Sequence, residues 1–170
     1  MLETLKTRRS IRTYQTRQIS DSALQNIAEA GTYAPSAGGG QSSVIVAVQN
    51  GDLIAKLSRM NAAVMGTDMD PYYGAPTLII VLGDGTKSNF VQDGSCALLY
   101  MMIAAHSLGL GSCWIARERE MFDSPEGREL LEAWGLPKNL VGVGALSIGH
   151  PKGETAAPAP RKNNSIVTLK

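Results

Sequence analysis

One long apolar segment, residues 93–108, limits the ways in which this chain can fold. The segment has the spacing of a helix that ends at Gly109, and apolar side chains fall on nearly every side of that helix. A helix without a polar face belongs in a core or in a subunit interface. Either the rest of the chain surrounds it, or a second subunit covers part of it.

Short apolar runs before and after this helix predict strands. They occupy residues 44–48, 77–82, 112–115 and 141–148, and residues 166–169 could add one more. Capping and periodic residues predict further helices, which begin near Leu2, Ser20, Asp52 and Ser124. Strands that alternate irregularly with helices indicate an α/β layered domain.

A doubly wound dinucleotide-binding sheet is the main competing fold. Such a sheet needs a GxGxxG turn between its first strand and the next helix, with an acidic residue further along. Here Gly109-Leu110-Gly111 follows a helix and precedes a strand, which is the wrong order. The sequence therefore favours another α/β arrangement.

The composition fits one domain that spans residues 1–170. Hydrophobic residues make up 44% and the net charge is +1, so no broad basic field is available for nucleic acid or acidic lipid. Charged residues make up 18%, against about 25% in typical domains. Either another subunit covers part of the surface, or the surface is simply neutral.

The cysteine spacing and the apolar segments of the chain predict its metal content and its cellular location. Cys96 and Cys113 form neither a CxxC pair nor a metal-binding spacing, which indicates buried thiols in a reducing compartment and no metal site. The first residues lack the continuous apolar core of a signal peptide, and no apolar stretch is long enough to span a bilayer. We expect a soluble cytoplasmic protein.

The most informative polar cluster is RRSIR, which contains Arg8, Arg9, Ser10 and Arg12. Guanidinium groups offer paired donors that match phosphate oxygens. If the segment is helical, Arg8 and Arg12 project from one face and could grip a phosphate monoester. The alternative is a solvated run of charge at the start of the chain.

Three later segments carry weaker signals. A loop around Pro35, Ser36, Ala37, Gly38 and Gln41 has consecutive glycines that let a flat ligand approach the backbone, and it could also be only a flexible loop. The glycines of residues 109–115 either cap a helix or expose amides to a heterocycle. Arg161 and Lys162 are either solvated or close over the same phosphate as the arginines.

Together these segments resemble the nitroreductase family of flavoproteins. The resemblance spans nearly the whole chain and rests on the order and spacing of RRSIR, APSAGGGQ, GAPTLIIV at residues 74–81, GLGSCWI at residues 109–115 and a terminal GHPKG…PRK. It implies a mainly antiparallel sheet flanked by helices as a three-layer sandwich, in a homodimer with FMN at the interface.

The resemblance also implies roles for particular residues. Arg8, Arg9, Ser10 and Arg12 would bind the FMN phosphate and ribityl chain, and Arg161 would return to the phosphate. Gly111 and Ser112 would lie near the isoalloxazine ring, and Asn61 is the nearest match to an asparagine that contacts the ring edge. The loop residues Pro35, Ser36, Ala37, Gly38 and Gln41 would reach the flavin of the partner subunit.

The implied activity is a ping-pong transfer of hydride from NADH or NADPH, through the flavin, to a nitroaromatic, a quinone or a similar small acceptor. No catalytic side chain is expected, because the flavin carries the chemistry. Two alternatives stay open. One is other flavin chemistry on the same scaffold, as in a dehalogenase, an ene-reductase-like enzyme or a flavin-fragmenting enzyme. The other is a flavin-binding module without turnover.

Two features separate this chain from its relatives, and a third feature bears on assembly. After Gly38 the run continues Gly39-Gly40-Gln41 where many relatives have asparagine or arginine followed by glutamine and proline, and the chain is short for the family. Both features leave the substrate open. Residues 166–169 are suited to adding a strand to the sheet edge of a neighbouring subunit.

Overall fold

The computed structural model describes residues 1–163 and 165–169, and its central layer is an antiparallel sheet. The strands are β1 (Ser43–Val48), β2 (Thr77–Asp84), β3 (Gly111–Ile115) and β4 (Leu140–Gly149). They lie in the order β1-β2-β4-β3, and each neighbouring pair is antiparallel. This arrangement confirms the expected mainly antiparallel sheet and excludes the doubly wound alternative.

Helices cover both faces of the sheet. They are α1 (Leu2–Thr7), α2 (Asp21–Thr32), α3 (Gly51–Met65), α4 (Phe90–Ser107), α5 (Glu118–Asp123) and α6 (Pro125–Ala133). Alternate residues of β2 divide the core: Leu78 and Ile80 pack towards α3, α5 and α6, whereas Ile79 and Val81 pack towards α2 and α4. The fold is therefore the predicted three-layer sandwich.

Local capping explains where several helices begin. The Ser20 side chain accepts from the amide of Ala23, and the Ser124 side chain accepts from the amide of Gly127, as the sequence predicts. The cap predicted at Asp52 is wrong. Asn50 caps α3 by accepting from the amide of Leu53 at 2.9 Å, and Asp52 lies in the first turn.

The long apolar helix is α4, which begins at Phe90, earlier than the sequence suggests, and ends before Gly109. One side of α4 packs on the sheet and on α2 through Leu98, Met101 and Ala105. Its opposite side stays open in a single chain, where Leu99 and Tyr100 are 46% and 41% exposed.

Two other expectations need correction. Residues 166–169 form no strand with the rest of the described chain, and Ile166, Val167 and Leu169 are exposed. The short helix α5 is absent from the sequence-based prediction, because too few residues separate β3 from α6 to show helical periodicity. No helix in the described part of the chain is long and apolar enough to cross a membrane.

Candidate functional site

The arginine cluster (Arg8, Arg9, Ser10 and Arg12) lies on an extended segment beside the edge strand β3. Helix α1 ends at Thr7, and Arg8 has φ −58° and ψ 132°, so the proposed helical pairing of Arg8 with Arg12 is wrong. Ser10 forms a parallel bridge with Ser112, and the amide of Ile11 donates to the Ser112 carbonyl at 3.0 Å. Side chains alternate between two sides of an extended backbone, so Arg8, Ser10 and Arg12 still project from the same side of the segment.

The surroundings of Cys113 agree with that placement. Burial raises the pKa of the Cys113 thiol, and the charge of Arg12, a hydrogen bond with Ser10 and the charge of Arg8 act in the opposite direction. These three residues therefore lie near β3, in agreement with the bridge between Ser10 and Ser112.

Two buried donors of the arginine cluster have no partner among the described residues, namely Arg8 Nη1 and Arg9 Nε. The rest of the Arg9 guanidinium donates to the backbone carbonyls of Lys6 and Arg8, which fixes its orientation. Burial, and then the neighbouring charge of Arg9, lower the pKa of Arg8. A buried charged donor without an acceptor is costly, so this place suits an anion.

The segment after β4 runs past these arginines and forms clefts with them. A cleft of about 620 Å³ is lined by Leu5, Lys6, Arg8, Arg9 and the stretch that ends at Arg161. A second cleft of about 370 Å³ lies between residues 9–13 and residues 151–156. Arg161 therefore shares a cleft with Arg8 and Arg9, although it is far from them in the sequence.

Backbone hydrogen bonds hold this late segment in place. The amide of Gln15 donates to the His150 carbonyl at 2.9 Å, and the amide of Lys152 donates to the Thr13 carbonyl at 3.1 Å. The Thr13 hydroxyl also donates to the Lys152 carbonyl at 3.0 Å. The walls of the clefts are thus fixed by the strand-like residues that follow the arginine cluster.

Gly111 and Ser112 form the junction between β3 and the N-terminal segment. A Cβ on Gly111 would lie 2.8 Å from the Cβ of Ile11, so the glycine permits a close backbone approach. Ser112 is buried and lines a small cleft of about 170 Å³ with Arg8, Arg9 and His106. Both residues lie beside the arginine cluster, and their predicted place near the isoalloxazine ring stays a prediction.

Arg12 contacts an aromatic ring from another loop. Its guanidinium carbon lies 5.8 Å from the centroid of Tyr73, and a side-chain hydrogen bond with Tyr73 raises the pKa of Arg12. Tyr73 has φ +59°, a left-handed conformation that is uncommon for a non-glycine residue. This loop brings an aromatic wall to the outer end of the arginine cluster.

The glycine loop (residues 35–41) lies elsewhere in the chain, against the start of α4. It contains a short 3₁₀ turn, Ala37–Gly39, and Gly38, Gly39 and Gln41 adopt positive φ angles. Its small cleft is lined by Pro35, Ser36 and Gln41 together with Asp93 and Ala97 of α4. None of the clefts described above for the arginine cluster contains a residue of the glycine loop.

Asn61 belongs to neither group, because its side chain is fully buried in a polar network. Its Nδ2 donates to the Ala116 carbonyl at 3.0 Å and to Glu118 Oε1 at 3.1 Å, while Arg117 Nε donates to its Oδ1 at 2.9 Å. Tyr72 also donates to Glu118 Oε1 at 3.2 Å. The network fixes the turn after β3, where Arg117 has φ +82°.

Sequence reasoning missed several residues of these clusters. Glu118 is fully buried, and burial raises its pKa to about 8. His106 is half-buried and bonds the Thr7 hydroxyl at 2.9 Å. That hydroxyl already donates to the Glu3 carbonyl, so Nε2 of His106 is the donor. Only tertiary contacts reveal these partners, since they are distant in sequence.

Comparison with known proteins gives a consistent result. The model of the nitroreductase family matches residues 5–68 and 64–150. A protein of Archaeoglobus fulgidus named NADH dehydrogenase/NAD(P)H nitroreductase is 37% identical over 161 residues, which cover 90% of this chain and 86% of that protein. A Bacillus subtilis protein named FMN reductase [NAD(P)H] is 30% identical over 184 residues. That match covers 98% of this chain and 72% of the Bacillus protein.

A solved structure extends the similarity to three dimensions. The crystal structure of a nitroreductase with bound FMN from Bacteroides fragilis superposes with a TM-score of 0.91 at 33% identity. The match covers 99% of this chain and 98% of that one. The whole described architecture is therefore shared with a protein that binds FMN.

Proposed function

Given that this chain belongs to the nitroreductase family, we propose that it is an FMN-dependent oxidoreductase that takes electrons from NADH or NADPH. One observation carries the proposal: Arg8 Nη1 and Arg9 Nε are buried donors that find no acceptor in residues 1–163 and 165–169. The phosphate of FMN supplies the acceptors that these donors need. The names of the relatives, an NAD(P)H nitroreductase and an FMN reductase, agree with this assignment.

The arginine cluster and Arg161 would hold the phosphate end of FMN. Arg8, Arg9 and Arg161 line one cleft, and their charges favour a dianionic group there. Ser10 and Arg12 continue along the same segment and would hold the ribityl chain. Gly111 and Ser112 bring the edge of β3 close to the bound molecule, which supports their predicted place near the ring.

We propose that the working unit is a homodimer. The open side of α4 carries Leu99 and Tyr100, which are 46% and 41% exposed, and a helix this apolar is suited to a subunit interface. The glycine loop lies at the start of the same helix, so a partner seated on α4 would meet it. Pro35, Ser36, Ala37, Gly38 and Gln41 would then reach the partner's flavin.

The tail would complete this assembly. Ile166, Val167 and Leu169 are exposed in a single chain, where burial would release water from their apolar surface. Adding residues 166–169 as a strand to the partner's sheet would bury them. The cytoplasm remains the predicted location, supported by the free thiols of Cys96 and Cys113.

When bound, FMN supplies the hydride chemistry between the nicotinamide and a nitroaromatic, quinone or similar acceptor. The chain's own residues bind and orient it, and the cations of the arginine cluster favour an anionic reduced state. Asn61 has its hydrogen bonds satisfied by Ala116, Arg117 and Glu118, which supports a role through the turn after β3 rather than direct contact with the ring.

Anaerobic mixing tests this function. We expect the purified protein loaded with FMN to be yellow, and NADH or NADPH to bleach it faster than the same nucleotide bleaches free FMN. Addition of a nitroaromatic or a quinone should restore the colour. Bound flavin that neither nucleotide reduces would indicate a binding module instead, and reduction without reoxidation by these acceptors would indicate other flavin chemistry.

A further inference from the structure

The glycine loop is tied to α4 through one carboxylate, that of Asp93. Its Oδ1 accepts from the amide of Ala37 at 3.0 Å, and its Oδ2 accepts from the Ser42 hydroxyl at 3.1 Å. The two oxygens thus hold the middle of the loop and the residue just after it. Asp93 itself is only 8% exposed.

The loop has few other means of holding its shape. Pro35, Ala37, Gly38 and Gln41 are exposed, so little apolar burial fixes them. The internal bonds are short-range: the amide of Gln41 donates to Ser36 Oγ at 2.9 Å, and the amide of Gly39 donates to the Ser36 carbonyl at 2.9 Å. Consecutive glycines have a large conformational entropy, so the loop needs an external anchor to stay in one conformation.

Helix electrostatics alone do not explain Asp93. An acidic residue in the first turn of a helix is favourable, but an exposed one gives that benefit without desolvation. Burying a carboxylate is costly unless hydrogen bonds compensate it. Both carboxylate oxygens of Asp93 accept hydrogen bonds from groups of the loop region, and the N-cap residue Asn89 makes no side-chain capping bond.

We propose that Asp93 is a positioning residue of the flavin site, which holds the glycine loop in the shape that meets the FMN of the partner subunit. This inference rests on the function proposed above. Asp93 does not touch the flavin in this account. It acts through Ala37 and Ser42, and its contribution is that the loop is ordered before the cofactor binds.

The direct test is FMN titration of three variants. Asp93→Ala removes both anchors, and we expect the Kd for FMN to rise about 10-fold or more. Asp93→Asn keeps an acceptor for the Ala37 amide and replaces the acceptor for Ser42 with an NH2 group, which can donate to the Ser42 hydroxyl oxygen. We therefore expect an affinity within about 3-fold of the parent. Asp52→Ala removes an exposed first-turn acid from α3 and should leave the affinity unchanged.

Ser42→Ala covers the case in which Asp93→Ala does not fold. It removes one loop anchor and leaves the carboxylate in place, so FMN affinity should fall by a smaller factor while the melting temperature of the apoprotein stays near that of the parent. Parent-like FMN affinity in both Asp93→Ala and Ser42→Ala, or a loss in Asp93→Asn as large as in Asp93→Ala, would overturn the inference.

A mixed dimer tests whether the loop acts on the partner. Asp93→Ala and Arg8→Ala subunits that carry different tags can be purified as a heterodimer. If the loop crosses to the other subunit, this heterodimer contains one site with intact arginines and an intact loop. If the loop stays within its own subunit, it contains none. We expect half the FMN sites to regain parent affinity. Two impaired sites would overturn action on the partner. A parent protein that ignores FMN would overturn the proposed function as well, whereas a parent that binds FMN with insensitive Asp93 variants would overturn this inference alone.

Discussion

At the scale of single residues, the proposed phosphate site rests on buried donors that have no acceptor among the described residues. Backbone carbonyls orient Arg9, and within the described part of the chain neither its buried Nε nor the buried Nη1 of Arg8 has a partner. Residue types and spacing left a phosphate site and a solvated run of charge both open, and the family resemblance implied the phosphate site. The orientation of these side chains was not predicted correctly, because the segment is extended rather than helical, and the alternation that aligns Arg8 with Arg12 has a different period.

Replacing Arg8 tests its share of the site. Arg8→Ala removes a charge-assisted hydrogen bond of about 1.5–3 kcal/mol, so the Kd for FMN should rise by roughly one to two decades. Fluorescence titration of FMN measures the change. Arg59→Ala, which removes an exposed arginine of α3, is the matched control and should bind as the parent does. Superimposable curves for Arg8→Ala and Arg59→Ala would contradict the assignment.

Glu118 gives a second prediction at this scale, on the pH dependence of stability. The pKa of its carboxyl is about 8 in the folded chain, against 4.5 as the reference value. Between these pH values the unfolded chain releases a proton that the folded chain keeps. Stability from this group is therefore complete below about pH 4.5 and is lost as pH rises, by at most about 1.4 kcal/mol per pH unit up to about pH 8.

Urea unfolding across that pH range measures the effect. Glu118→Gln keeps an acceptor for Tyr72 and Asn61 and cannot ionise, so its free energy of unfolding should vary less with pH than that of the parent. Glu120→Gln, at an exposed position two residues further along, should follow the parent. If the parent and Glu118→Gln show parallel pH profiles, Glu118 is not the buried neutral acid described here.

At the scale of elements, β3 organises the site because it pairs with β4 on one side and with the N-terminal segment on the other. The strand was predicted from a short apolar run. Gly109 was predicted as the end of the helix that precedes the strand. Its partners could not be predicted, since Ser10 and Ser112 are distant in sequence and meet only after the sheet has formed. The cap at Asn50 was missed for a simpler reason: Asp52, two residues later, is an equally good capping type.

Gly111→Ala tests this junction. Its Cβ would lie 2.8 Å from Ile11, so the N-terminal segment must shift, at a cost of about 1–3 kcal/mol in stability. FMN affinity should fall too, because the arginine cluster moves with that segment. Gly51→Ala provides the control, since a Cβ there meets open space at the start of α3. Thermal melts and FMN titrations that match for both variants would contradict the role of β3.

At the scale of the whole molecule, a single chain keeps the two groups of predicted site residues apart. The arginine cluster lies beside β3, and the glycine loop lies at the start of α4. The apolar sequence of α4 predicted either a core or an interface, and the structure assigns one side to the core and leaves the other side open. The sequence could not choose between these outcomes, because both bury the same kinds of residue.

The proposed homodimer predicts the behaviour of a substitution on that open side. Leu99→Lys places a charge on the open side of α4. A monomer should tolerate this charge because position 99 is exposed. A dimer that buries position 99 should be destabilised, because the charge would be desolvated. Sedimentation velocity should show a shift towards monomer, with FMN bound more weakly. Val64→Lys, at an exposed apolar position of α3, should remain dimeric. A Leu99→Lys protein that sediments as the parent does would place the interface elsewhere.

The most direct test of the account compares FMN with riboflavin, which lacks the phosphate. If Arg8, Arg9 and Arg161 hold that phosphate, the parent should bind FMN about 100-fold or more tightly than riboflavin, since at least two charge-assisted bonds are lost. Arg8→Ala should weaken the binding of FMN and leave the binding of riboflavin nearly unchanged, so the ratio of the two affinities should fall. Equal affinities of the parent for the two flavins would contradict the claim that the arginine cluster is a phosphate site.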